Sequence, residues 1–181
     1  MKRIFSFAVI AILLASCAPK NQFRIHGYVS NPDLEGACIF LVPATEPVNL
    51  PSKDNLDSTF IKNQKFEFKG EVERLGDLRI EAMRRIGTQN LLVVTEPGDI
   101  YVTIGEKSSG YGTRQNDSLE VWKNLTESTR SLTVAMLQSG CKEEADSTHA
   151  AYKSRSQNMA HALGDDSTLG KFLLSLYPDK K

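Results

Sequence analysis

Cysteine is scarce in this chain: there are three in 181 residues, Cys17, Cys38 and Cys141, and no two of them stand close in sequence. A dithiol that attacks a disulfide and then resolves it needs two thiols two residues apart, so no local redox motif is present. Charge of one sign is equally absent. The 22 basic side chains match the 22 acidic ones, which argues against nucleic acid as a partner, because phosphate binding needs a clustered basic surface. Histidine occurs only as His26, His149 and His161. Ligand pairs usually sit two to five residues apart, so these three read as separate surface residues and no metal or cofactor is expected. Gly110-Tyr111-Gly112 lacks the lysine and serine of a phosphate cradle and reads as a turn. No strained serine elbow is present to supply a nucleophile, and Asp165-Asp166, followed by Ser167-Thr168, reads as a loop and helix cap.

A long apolar run occurs once, at the start. Lys2 and Arg3 are followed by the uncharged stretch Ile4 to Ala15 and the small residues before Cys17. A charged n-region, a short h-region and a small-residue cut site define a secretory signal over residues 1–16. The run is too short for the about 20 apolar residues that a membrane span needs. Leu14-Ala15-Ser16-Cys17 also resembles the bacterial lipobox, which makes Cys17 the acylated first residue of the mature chain. Removal of residues 1–16 leaves 20 basic and 22 acidic side chains, a length suited to one domain with an appendage. Residues 17–22 form a lipidated tether, of which Ala18 to Gln22 extends about 17 Å. Cys38 and Cys141 remain as thiols in a compartment where disulfides persist. They are a candidate pair, although Cys38 in "ACIFLV" also reads as a small core residue.

From Phe23 the pattern alternates. "FRIHGYV" puts Phe23, Ile25, Gly27 and Val29 on one face and Arg24, His26 and Tyr28 on the other. Further strands are expected at 37–42, in "DSTFIK" and "KFEFKGEV", and at 78–84, 90–95 and 99–104. Asn63 and Gln64 separate the second and third of these, and Asn63 suits the left-handed turn of a tight hairpin. Three prolines at 43, 47 and 51 mark a long connection. About seven short strands over 23–113 predict an antiparallel β-sandwich or partly closed barrel.

Residues 114–181 read as a helical extension, making the whole chain mainly β with an α C-terminal part. Asp117, with Glu120 three residues on, predicts a capping box opening a helix with the stripe Leu119, Trp122, Leu125, Thr129, Leu132 and Met136. A second helix over about 142–163 completes a helical hairpin through the small and polar stripe Ala145, His149, Tyr152, Ser156, Met159 and Leu163. Ser167 caps a short terminal helix carrying Leu169, Phe172, Leu173, Leu176 and Tyr177. That amphipathic face must pack on the hairpin or on a partner, and it is the candidate partner surface.

The lipobox, "FRIHGYV", "LDSTFIKNQKFEFKGEV", "LLVVTEPGDIYVTI" and "YGTRQNDSLEVW" occur in an order that resembles a lipoprotein family of Bacteroidota, the domain of unknown function numbered 4369. The resemblance covers roughly residues 17–125. In many such proteins the module precedes a thioredoxin-like domain, and "STLGKFLLSLYP" looks like the lead-in to one. The resemblance therefore implies either a stand-alone module or a redox partner on a separate chain.

Four Asp-Ser steps, at Ser58, Ser118, Ser147 and Ser167, resemble the O-glycosylation sequon of exported Bacteroidota proteins. The alternative is that Asp-Ser pairs simply start helices and strands, as at Asp117 and Asp166. After Cys17 the residues Ala18 to Asn21 contain neither an acidic surface-export pair nor a retention aspartate. That predicts the periplasmic face of the outer membrane, with acyl chains on Cys17 as the membrane contact. The function expected is non-enzymatic binding or interaction. The alternative is a docking subunit for a separate thioredoxin-like oxidoreductase, and nothing in the sequence supports a hydrolase.

Overall fold

The computed structural model describes residues 21–44, 56–81 and 87–179. The lipobox and the segments 45–55 and 82–86 lie outside the described residues. Eight strands form two four-stranded sheets. β1 (Phe23–Val29), β4 (Lys65–Gly70), β7 (Gly98–Ile104) and β8 (Ser109–Tyr111) form one in the order β4-β1-β7-β8. β2 (Cys38–Pro43), β3 (Asp57–Phe60), β5 (Leu75–Ile80) and β6 (Leu91–Val94) form the other in the order β3-β2-β5-β6. Three helices follow: α1 (Arg114–Gln138), α2 (Lys142–Leu163) and α3 (Thr168–Leu176). The β part is a sandwich and not a closed barrel. Its core holds Phe23, Ile25 and Val29 from β1 and Phe66 and Phe68 from β4, which face Ile39, Leu41, Leu78 and Leu91. The alternation in "FRIHGYV" therefore puts the residues expected inside at the core.

Two expectations of strand pairing need correction. The first sheet is mixed: β1 pairs antiparallel with β4 but parallel with β7, with Phe23 opposite Gly98. The Thr95-Glu96-Pro97 step carries the chain from one sheet to the other, so β7 begins beside the start of β1 and runs the same way. The segment around Asn63 is a tight turn, with Asn63 at φ 52° and Gln64 at φ 58°, yet the flanking strands do not form a hairpin. Only Lys62 and Lys65 pair across it, after which β3 joins one sheet and β4 the other. Fully buried Ile61, whose N–H donates to the Ala37 carbonyl at 3.0 Å, turns the chain between layers. The Glu35 carboxylate accepts from the turn amides of Asn63 and Gln64 at 2.8 and 3.0 Å, and these bonds hold its pKa below the usual carboxylate value.

The first helix starts earlier than the sequence suggests, at Arg114, with Thr113 as its N-cap and no side-chain bond from that cap. Asp117 and Glu120 form no capping box. Asp117 accepts from the Gly112 amide at 2.8 Å and Glu120 from the Gly110 amide at 3.1 Å. The free donors of the first turn are met from outside. Glu96 of the preceding turn accepts from the amides of Gln115 and Asn116 at 2.6 and 3.3 Å, where a carboxylate also complements the helix dipole. Asn116 then works as a piece of strand: it accepts from the Val94 N–H at 2.9 Å and donates to the Val94 carbonyl at 2.7 Å. This pairs the open edge of β6 with a side chain.

A second apolar core joins helices and sandwich through Val94, Leu119, Trp122, Ala160, Leu169 and Leu173. Ser167 caps α3 as expected, accepting from the Gly170 amide at 3.0 Å. No residue of α1 beyond Trp122 is buried. Lys123 Nζ donates to the Ser108 carbonyl at 2.7 Å, at the turn between β7 and β8. The fifteen residues after it make about 22 Å of helix at 1.5 Å per residue and, with the start of α2, form a projecting arm. The arm leaves from the end of the sandwich opposite the start of β1.

Candidate functional site

The outer face of the β4-β1-β7-β8 sheet is not covered by the helices. Register places Glu67, His26, Tyr101 and Tyr111 in one row across all four strands. The next row holds Lys65, Tyr28 and Thr103. Between the rows runs a groove of 410 Å³ lined by these residues, with Gly27 on its floor. His26 is fixed from both sides, since Nε2 meets Asp99 Oδ1 at 2.9 Å and Nδ1 meets Glu67 Oε1 at 3.5 Å. Its ring stacks on Tyr101 at 5.1 Å, and Tyr101 stacks on Tyr111 at 5.8 Å. The row is a rigid wall that offers the groove ring edges and hydroxyls. Tyr28, Tyr101 and Tyr111 are 44, 44 and 55% exposed, although large aromatics usually bury most of their surface.

Sequence reading found His26 and Tyr28 as outward residues but missed the site. The glycines around Tyr111 suggest a turn, whereas Tyr111 lies on the short strand β8 and pairs with Tyr101. The available signal was the period-2 spacing in "DIYVTI" with a tyrosine on the outer face, which becomes informative only once register brings the three strands together. Gly27 has a structural reason: a Cβ there would collide with the Phe66 ring packed beneath it.

A second cavity of 330 Å³ lies on the arm, lined by Thr126, Thr129, Thr133, His149, Tyr152 and Tyr177 among others. Tyr177 donates to Tyr152 Oη at 3.1 Å, and the Thr126 and Tyr152 hydroxyls share a hydrogen bond of 2.8 Å. Burial, followed by the bond to Tyr152, pushes the Tyr177 phenol up to about 12. Val134, Leu132 and Leu137 of the arm are about half exposed.

The residues singled out from sequence fall in separate places. Leu169 and Leu173 are fully buried in the second core, and Phe172 packs edge-on against Trp122 at 5.7 Å. The face of α3 proposed as a partner surface therefore belongs to the fold, and Leu176 alone of its leucines stays well exposed. Cys38 and Cys141 are free thiols and form no disulfide. The reason is placement: Cys38 is half-buried on β2, while Cys141 is exposed at the tip of the arm. Burial first, then the Glu81 carboxylate, push the Cys38 thiol up, which disfavours the nucleophilic thiolate. Ser58 and Ser147 are exposed, whereas Ser118 donates to the Arg114 carbonyl and Ser167 serves as a cap. Among the described residues, no group of three or more His, Cys, Asp or Glu could hold a metal ion. No helix among them is long and apolar enough to cross a membrane.

An exported sandwich with a docked helical layer and an N-terminal acylation signal defines a lipid-anchored lipoprotein. Residues 1–18 match the prokaryotic membrane lipoprotein lipid attachment site, which includes Cys17. Residues 23–119 match the family described as "Domain of unknown function (DUF4369)", and the chain belongs to that family. The match takes in the sandwich and the first turns of α1, including Asn116 and Leu119. No curated protein and no solved structure matches the chain.

Proposed function

We propose that this lipoprotein is a non-enzymatic binding module on the periplasmic face of the outer membrane, taking its ligand in the groove beside His26, Tyr101 and Tyr111. The observation that carries this reading is the stacked row itself. Two tyrosines and a clamped histidine stand in register on a sheet face that the helices leave open, with Tyr28 in the next row, and they contribute nothing to the core and border a cavity. Both imidazole nitrogens of His26 face carboxylates, so the ring is positioned as a fixed wall and not as a free base beside a nucleophile. The raised Cys38 thiol supports the same reading.

A docking role for a separate thioredoxin-like protein is the second reading, favoured by the exposed Leu132, Val134 and Leu137 on the arm. Purification of the mature lipoprotein from native membranes, with Tyr111→Ala and Leu137→Glu variants in parallel, separates the two. Loss of the bound component from the groove variant alone supports the first reading. Loss from the arm variant alone, with a thioredoxin-like protein identified in the wild-type preparation, overturns it. Cys17→Ser tests the anchor: the chain should leave the membrane fraction. The exposed Ser58 and Ser147 are the Asp-Ser sites best placed to carry a glycan, which intact mass from the native host would reveal.

A further inference from the structure

We infer that the groove takes a short run of sugar rings from a linear, uncharged oligosaccharide; this rests on the binding role proposed above and names its ligand class. Shape argues first. The groove crosses four strands spaced about 4.8 Å apart, giving a trough about 14 Å long, which suits an oligosaccharide better than a single sugar. It lies along the outer face of the sheet and is lined from all four strands.

Charge argues next. Lys65 and Glu67 are the formally charged residues that line the groove, of opposite sign and both on β4, and His26 is engaged by Asp99 and Glu67. A phosphate-rich or strongly cationic ligand would find no excess of either sign in that lining. A neutral polyol needs none. The walls carry the hydroxyls of Tyr28, Tyr101, Tyr111 and Thr103, each able to donate and to accept, and sugar hydroxyls do the same.

Preorganisation completes the argument. The chain of contacts from Asp99 to His26 to Tyr101 to Tyr111 fixes the wall before any ligand arrives. Immobilising side chains on binding costs affinity, and a wall already stacked avoids most of that cost.

The test uses the mature lipoprotein in micelles of a zwitterionic detergent that carries no sugar. Tyrosine and histidine ring resonances are followed while chitotetraose, maltotetraose, the total oligosaccharide fraction of the native host's envelope and a glycine-serine hexapeptide are added in turn. Saturable shifts at Tyr28, Tyr101, Tyr111 and His26 with a saccharide sample, and not with the hexapeptide, are expected. Tyr111→Ala should weaken that binding about tenfold. Tyr101→Phe, which keeps the stack and removes one hydroxyl, should weaken it while leaving the fold intact, and Tyr152→Phe on the arm should leave it unchanged. If no saccharide sample moves these resonances but a sugar-free envelope extract does, the oligosaccharide inference is overturned and the binding reading stands. If neither moves them, both fall.

Discussion

Replacing Asn116 with alanine tests whether one side chain holds the helical layer to the sandwich. Asn116 is 2% exposed and Val94 is fully buried. The amide of Asn116 accepts from the Val94 N–H, donates to the Val94 carbonyl, and donates to Thr113 Oγ1 at 2.8 Å. Alanine leaves both Val94 groups buried without a partner, and each such group costs about 1–3 kcal/mol. The better helix propensity of alanine returns about 0.5 kcal/mol. A net loss of about 3 kcal/mol follows from these magnitudes, lowering Tm by about 6–12 °C in a chain of this size. Urea unfolding followed by Trp122 emission and by far-ultraviolet circular dichroism reads it directly, because Trp122 sits in the core that the latch closes. Asn116→Asp makes the comparison sharper. It keeps the acceptor for the Val94 N–H but sets a carboxylate against the Val94 carbonyl. It should cost at least as much at neutral pH and recover as falling pH protonates the carboxyl into a donor. A loss below about 1 kcal/mol in the alanine variant, the net worth of one ordinary hydrogen bond, would refute the latch.

Gly27→Ala drives a methyl into the Phe66 ring and should cost about 1–3 kcal/mol in the same assay, as overpacking does. Ser167→Ala removes the acceptor for the Gly170 amide and should cost about 1 kcal/mol. His161 has its pKa raised above 6.5, first by its bond to Asp165 and then by Asp179. The stabilisation from these contacts is complete below 6.5 and is lost as pH rises through the raised value, so His161→Gln should remove that slope from stability measured against pH. Alkylation without reductant should label both Cys38 and Cys141, the exposed Cys141 first and the half-buried Cys38 slowly; mass spectrometry showing a protected pair would contradict the free thiols.

Local pattern carried much of this fold. The alternation in "FRIHGYV", the left-handed Asn63, the bounds of the second helix and the Ser167 cap all depend on neighbours a few residues away, and each is found in the structure. What escaped depends on distant partners. The divergence of β3 and β4 is decided by Ile61 meeting Ala37, and the first turn of α1 by Glu96 and Val94. The groove belongs to this second kind: His26 of β1, Tyr101 of β7 and Tyr111 of β8 lie on the outer face, and only their register makes a row.

The parallel pairing of β1 with β7 also sets an order of assembly. Phe23 meets its β4 partner Gly70 only 47 residues further on and its β7 partner Gly98 only 75 residues further on. Contacts that distant close slowly, because loop entropy is lost before they form. The strand nearest the lipid is therefore the first to be made and among the last to be satisfied, so the anchor can be attached while the segment beside it is still an open chain.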